Sequence, residues 1–193
     1  MSYALDVNVL LYAVDEESPH HPRAREFLDR CAAGPEVCCL GWLTIMSFLR
    51  MATNPRIFGR PLTPEAAEGN VSALLALPHV RALSEQDGFW EVYRRVTAGL
   101  AVRGNLVPDA HLAALLVQHG VTVLYTRDAD FRKFQDLQVR DPFAGNESDD
   151  SDGDDGDRVD GDGDDGDRDD SDGDDGAATL AGRSERLNPQ ERR

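Results

Sequence analysis

Lysine is almost missing from this chain: none precedes Lys133, so any acid buried upstream must find an arginine or some other cation. Long apolar runs are missing too, since none approaches the ~20 residues that a membrane span needs. That predicts a protein with no membrane segment. The opening Met-Ser-Tyr-Ala-Leu-Asp lacks the basic start and apolar stretch of a signal peptide. Cysteine is scarce and odd in number: Cys31, Cys38 and Cys39 have neither metal-ligand spacing nor the look of a disulfide framework. Together these absences predict a reduced, cytoplasmic protein and exclude a disulfide scaffold.

Acid is what the chain has in excess. Its 193 residues carry 36 Asp+Glu against 20 Lys+Arg, a formal charge of −16. The excess is concentrated at one end: positions 149–176 hold 16 Asp and two Arg, and residues 147–193 carry −13. Residues 1–146 are left at only −3, so the low isoelectric point belongs to a tail. The segment 144–193 is Asp-Gly low complexity and nearly free of apolar side chains up to Leu180. It cannot bury enough surface to offset an ordering entropy of about 1–2 kcal/mol per residue, and the expectation is disorder. Its Asp-Gly-Asp units are similar to calcium-loop spacing but lack the closing Glu and flanking helices, so a solvated polyanion is the simpler reading. Such a polyanion repels RNA at low ionic strength.

Residues 1–143 read as a single α/β domain. Strand-like runs at 4–7, 37–40, 80–82, 121–125 and 137–139 alternate with helical periodicity at 21–30, 42–51, 64–77, 86–100 and 108–119. The apolar run 9–13 reads as a turn after the first strand. Thr63-Pro64-Glu65 carries a cap and a proline at the first helical position, and Gly120 is placed to end a helix. Alternating strands and helices imply a mostly parallel sheet covered on both faces, with chemistry beyond the carboxyl ends of its strands.

Three acids stand at such junctions. Asp6 follows the first strand in Leu5-Asp6-Val7-Asn8-Val9, Asp109 opens a helix in Pro108-Asp109-Ala110-His111-Leu112, and Asp128 follows the strongest strand in Thr126-Arg127-Asp128-Ala129-Asp130-Phe131. Asp109 heads a stripe with Leu112, Ala113 and Leu116 at helical spacing, which turns it inward. A lone Asp at a helix start is most often a cap. Three of them next to buried chain cost several kcal/mol unless paired or coordinated, and few cations are at hand. A shared hard ion, Mg2+ or Mn2+, suits a small carboxylate cluster open to a phosphate.

These three segments, in this order, resemble a PIN-domain ribonuclease, and more narrowly the VapC toxins of toxin–antitoxin pairs. The segment Phe48-Leu49-Arg50-Met51-Ala52-Thr53-Asn54-Pro55 is similar to one VapC subgroup. The resemblance covers roughly residues 1–143 and implies a PIN-like three-layer α/β/α domain. It implies a Mg2+- or Mn2+-dependent endoribonuclease acting on RNA, a cognate antitoxin partner and a homodimer. It maps metal-holding acids onto Asp6, Asp109 and Asp128, adds Asp130 as a neighbouring catalytic acid, and gives Asn8 and Thr126 supporting roles. One position departs from the family: Ser47 stands where a glutamate is usual, so the site loses one formal negative charge. A PIN fold kept only for binding an antitoxin or RNA is the alternative that Ser47 favours.

Phosphate contacts would come from Arg50, Arg56, Arg60, Arg103, Arg127, Arg132 and Lys133, with Arg127 and Arg132 best placed beside the acidic loop. Trp42 and Trp90 read as core or dimer anchors. His20 and His21 read as surface residues at a helix start, and His111 as the histidine nearest the carboxylates.

Overall fold

In a computed structural model, residues 1–144 are described. The expected acidic tail therefore lies outside the described residues, apart from Ala144. Twelve elements follow in order: β1 (Ser2–Leu5), α1 (Val7–Val14), α2 (His21–Ala33), β2 (Val37–Gly41), α3 (Trp42–Ala52), α4 (Pro64–Leu75), β3 (Val80–Leu83), α5 (Phe89–Val96), α6 (Leu106–Gln118), β4 (Val123–Tyr125), a 3-10 helix (Ala129–Lys133) and β5 (Gln138–Arg140).

The strands form one sheet in the order β3-β2-β1-β4-β5, and all four pairings are parallel. Period-two alternation sorts their side chains into two cores. Tyr3, Leu5, Cys38, Leu40 and Val80 pack with α1–α4 on one face. Ala4, Cys39, Leu83 and Leu124 pack with α5, α6 and the 3-10 helix on the other. With both faces covered, the strands read as short apolar runs, and the result is the three-layer α/β/α arrangement that the resemblance implies.

The chain leaves β1 toward β2 on one side and returns to β4 on the other, so the direction of winding switches between β1 and β4. Parallel sheets open a crevice at such a point, outside the carboxyl ends of the strands. Leu5 pairs with Tyr125 at the ends of these two strands. The next residues are Asp6 and Thr126, which places both at the crevice.

Several boundaries differ from the sequence expectation. The run 9–13 is helix α1 rather than a turn: Val9, Leu10, Leu11 and Ala13 all find burial, and Asp6 accepts a hydrogen bond from Val7 N at the helix start. The helix expected over 86–100 is confined to Phe89–Val96, because Gly88 enters it with φ +78, in the left-handed region. Helix α6 begins at Leu106, two residues before Pro108, whose missing N–H has no helical partner to lose in the first turn. Asp109 is consequently inside the first turn and not a cap. Thr63 caps α4 as its spacing predicts, accepting from Ala66 N at 3.2 Å, and Gly120 closes α6 with φ +67. Trp42 and Trp90 are not core residues, at 44% and 62% exposed.

Candidate functional site

Thr126 organises the crevice. Its hydroxyl donates to Asp6 Oδ2 at 2.7 Å, while Oγ1 accepts from Asn8 Nδ2 at 2.9 Å and from Asp128 N at 2.9 Å. One hydrogen and two lone pairs are thereby all in use. Thr126 is 2% exposed and its own N–H donates to Arg140 O, so the hub is pinned from the sheet side as well. Asp6 N donates to Tyr125 O, and Asp6 Oδ1 accepts from Val7 N at 2.6 Å. Asp128 Oδ1 accepts from Asp130 N at 2.8 Å and starts the 3-10 helix. The buried ring of Phe131 seats that helix in the core that also holds Ala113 and Leu116 of α6. β1, β4 and α6 thus each deliver an acid to one place.

The acids repel one another there. Burial, at 8% exposure, pushes the Asp6 carboxyl up to about 6, opposed by the hydrogen bonds from Thr126 and Val7 and reinforced by the charge of Asp128. Burial also raises Asp109, to about 7, with further contributions from Asp128, Asp6 and Asp130; only Lys133 acts to lower it. No hydrogen bond reaches the Asp109 carboxylate among the described residues. Lys133, the chain's single lysine, pairs with Asp130 at 2.7 Å on the exposed rim, where such a pair is worth at most about 1 kcal/mol.

All four expected acids are therefore drawn into one electrostatic cluster. Among the described residues no group of three or more Asp, Glu, His or Cys side chains forms a ready-made metal cage. The donor set nevertheless fits a hard cation: Mg2+ typically takes one or two carboxylates and keeps its remaining positions for water. Asn8 Oδ1, buried beside the cluster without a hydrogen-bond partner, is a further oxygen of the right chemistry.

Other expectations fare differently. Ser47 is half-buried on α3, and no charge or hydrogen-bond influence on Asp6 or Asp109 comes from that helix. His111 turns to Glu85, with Nε2 to Oε1 at 2.6 Å, and lies 5.0 Å from the Phe89 ring, so it does not serve the cluster. Arg60 is drawn to Glu16 and Glu17. His20, read as a plain surface residue, instead touches Arg127 and stacks on Phe143. No local spacing announces a contact across more than a hundred residues.

Two outcomes test this geometry. Thr126→Val keeps the shape but strands Asp6, Asn8 and the Asp128 N–H, and is expected to lower unfolding free energy by about 1–3 kcal/mol; Thr126→Ser should recover most of it. Equal urea midpoints for all three proteins would show the hydroxyl to be dispensable. Asp109→Asn should instead raise the melting temperature in EDTA at neutral pH, by about 2–4 °C. The sign follows from the raised pKa: the folded state resists ionisation of Asp109, so wild type loses this part of its stability as pH rises from about 4, the unfolded value, to about 7. A variant no more stable than wild type at neutral pH would contradict it.

The sequence matches the PIN domain family over residues 3–137. Ribonuclease VapC48 of Mycobacterium tuberculosis is 46% identical over 145 residues, which is 75% of this chain and 100% of that protein. Ribonuclease VapC37 of the same species is 35% identical over 140 residues, 72% of this chain and 96% of the relative. Among solved structures, VapBC2 from Rickettsia felis, bound to a DNA fragment from the promoter, aligns with TM-score 0.54 at 14% identity over 73% of this chain and 98% of that one. The sarcin-ricin loop cleaving toxin VapC20 of Mycobacterium tuberculosis aligns with TM-score 0.51 at 18% identity, over 67% and 92%. Both structural likenesses speak to the fold alone.

Proposed function

The chain belongs to the PIN-domain family, among the VapC ribonucleases, and from that premise we propose that it is a metal-dependent endoribonuclease, the toxin of a toxin–antitoxin pair. The observation that carries this reading is the mutual repulsion of Asp6, Asp109, Asp128 and Asp130 at the switch point of the sheet, with one lysine to oppose it. Carboxylates held apart from counter-charge in a crevice are candidates for function rather than for stability.

In this reading Asp6, Asp109 and Asp128 hold Mg2+ or Mn2+. When bound, the ion supplies Lewis acidity and neutralises charge developing on the phosphodiester. Thr126 and Val7 fix the Asp6 carboxylate by one hydrogen bond to each oxygen, so its remaining lone pairs keep a constant direction. Asp128 is held by the backbone turn that its own side chain closes. Asp130 Oδ1 is taken by Lys133, which leaves Oδ2 to accept a hydrogen bond from an incoming water and orient it. Substrate is RNA presented at the rim, and the reaction is hydrolysis of a phosphodiester bond.

A cognate protein antitoxin, a cytoplasmic location and a homodimer belong to the same reading. Trp42 and Met46, one turn apart on α3 and both exposed, are an apolar face suited to a second copy.

The competing reading is a PIN fold that binds RNA or antitoxin without cutting. Ser47 in place of the family's acid favours it, since α3 brings no carboxylate to the cluster. RNA cleavage by the full-length protein decides between them. Cleavage with Mn2+ or Mg2+, abolished by EDTA and reduced at least ~100-fold in Asp109→Asn, more than loss of a merely supporting metal-site residue costs, is the expected result. Intact RNA under all three conditions would overturn the nuclease and leave the binding protein.

A further inference from the structure

Arg127 is adjacent in sequence to both Thr126 and Asp128, yet its side chain belongs to a different assembly. Its Nη1 contacts the imidazole nitrogens of His20, with Nδ1 at 3.2 Å and Nε2 closer still. Its Nε lies 3.6 Å from Asp141 Oδ2, and its Cζ stands 5.8 Å from the centre of the Phe143 ring. Those partners are themselves fixed. The imidazole of His20 stacks on Phe143 at 5.7 Å and meets the edge of Tyr12 at 5.0 Å, and Phe143 N donates to Asp141 Oδ1 at 2.8 Å. Phe143 is buried in the core of α1–α4.

A guanidinium has five N–H donors in a rigid fork. Among the described residues the hydrogen bonds of Arg127 use Nη1 alone, so Nη2 has both hydrogens spare. The side chain remains 36% exposed, and its ion pair with Asp141 is open to solvent, the kind of contact that another anion displaces readily. A purely structural arginine would spend its fork on neighbours. This one is braced on three sides and presents unused donors. Its backbone lies between Thr126 and Asp128, two members of an acidic cluster whose charge would otherwise repel a polyanion.

We propose that Arg127 grips an RNA phosphate flanking the scissile bond, with His20 as its positioning residue. The inference rests on the nuclease reading for its substrate. The bracing has a kinetic meaning: the side chain gives up little further freedom on binding, and its planar fork matches two phosphate oxygens as an ammonium cannot.

The test compares wild type, Arg127→Ala, Arg127→Lys, His20→Ala and Arg25→Ala in cleavage of a random-sequence RNA pool with Mn2+. Arg25 is exposed on α2, makes no hydrogen bond or ion pair with the assembly among the described residues, and controls for net charge. Arg127→Ala should raise KM roughly tenfold, the usual scale of one charge-assisted contact, with kcat within about twofold. The slope of log KM against log salt should fall by about 1. Arg127→Lys should recover less than half of the loss on a logarithmic scale, and Arg25→Ala should match wild type. His20→Ala should raise KM less than Arg127→Ala does and add nothing in the double variant. Unchanged KM and salt slope in a folded Arg127→Ala protein overturn the proposal. If wild type cuts nothing, RNA binding read by anisotropy in Mg2+ takes over. Weakened binding by Arg127→Ala then upholds the clamp while the nuclease falls. Equal binding overturns the clamp, and no binding by wild type overturns both.

Discussion

Like charges brought together at the end of a sheet are what the rest of this domain must accommodate. Asp6 and Asp128 arrive from neighbouring strands, Asp109 from the helix behind them and Asp130 from the following turn. Each would be less costly further apart. What ties Asp6 to Asp128 is one hydroxyl, that of Thr126, which spends its proton on one acid and its lone pairs on the backbone of another and on Asn8. Burial of Phe131 and of the inward face of α6 fixes the remaining two. Core packing thus offsets an electrostatic penalty of the metal-free domain, the usual trade of stability for a preorganised site.

Residues chosen for packing and residues chosen for chemistry occupy alternate positions of the same strands and so cannot be separated. Leu124 is buried on one face and Tyr125 half-buried on the other, and Thr126 comes where the pleat runs out into the crevice. Slipping β4 by one residue would exchange the two faces and remove the hub from Asp6. The order β3-β2-β1-β4-β5 has a similar effect at longer range, since only a reversal between β1 and β4 brings residues 6 and 126 side by side.

Much of this was legible in the sequence because it depends on local chemistry. Three acids after apolar runs, the cap at Thr63 and the glycine at 120 are signals of short range, and each stands where its spacing predicts. What escaped depends on tertiary partners. The run 9–13 is apolar on every side, and periodicity cannot distinguish a helix buried all round from other apolar chain. Asp109 taken alone could equally be a cap, and only the start of the helix at Leu106 places it inside the first turn. His111 is two residues from Asp109, but Glu85 claims it from 26 residues away. The assembly of Tyr12, His20, Arg127 and Phe143 has no signature at all, being made from four segments that only the fold brings together. Trp42 and Trp90 show the converse, large apolar side chains that the core does not take.

The central claim is that the repelling carboxylates are completed by a divalent cation. Its most direct test is calorimetric titration of Mn2+ into the EDTA-stripped full-length protein, wild type beside Asp6→Asn. The acidic segment 149–176 is common to both and supplies the same weak background. A saturable class of sites tighter than that background, present in wild type and lost in Asp6→Asn, is the predicted result. Superimposable isotherms for the two proteins would contradict it, and would leave the four carboxylates without the ion this account requires.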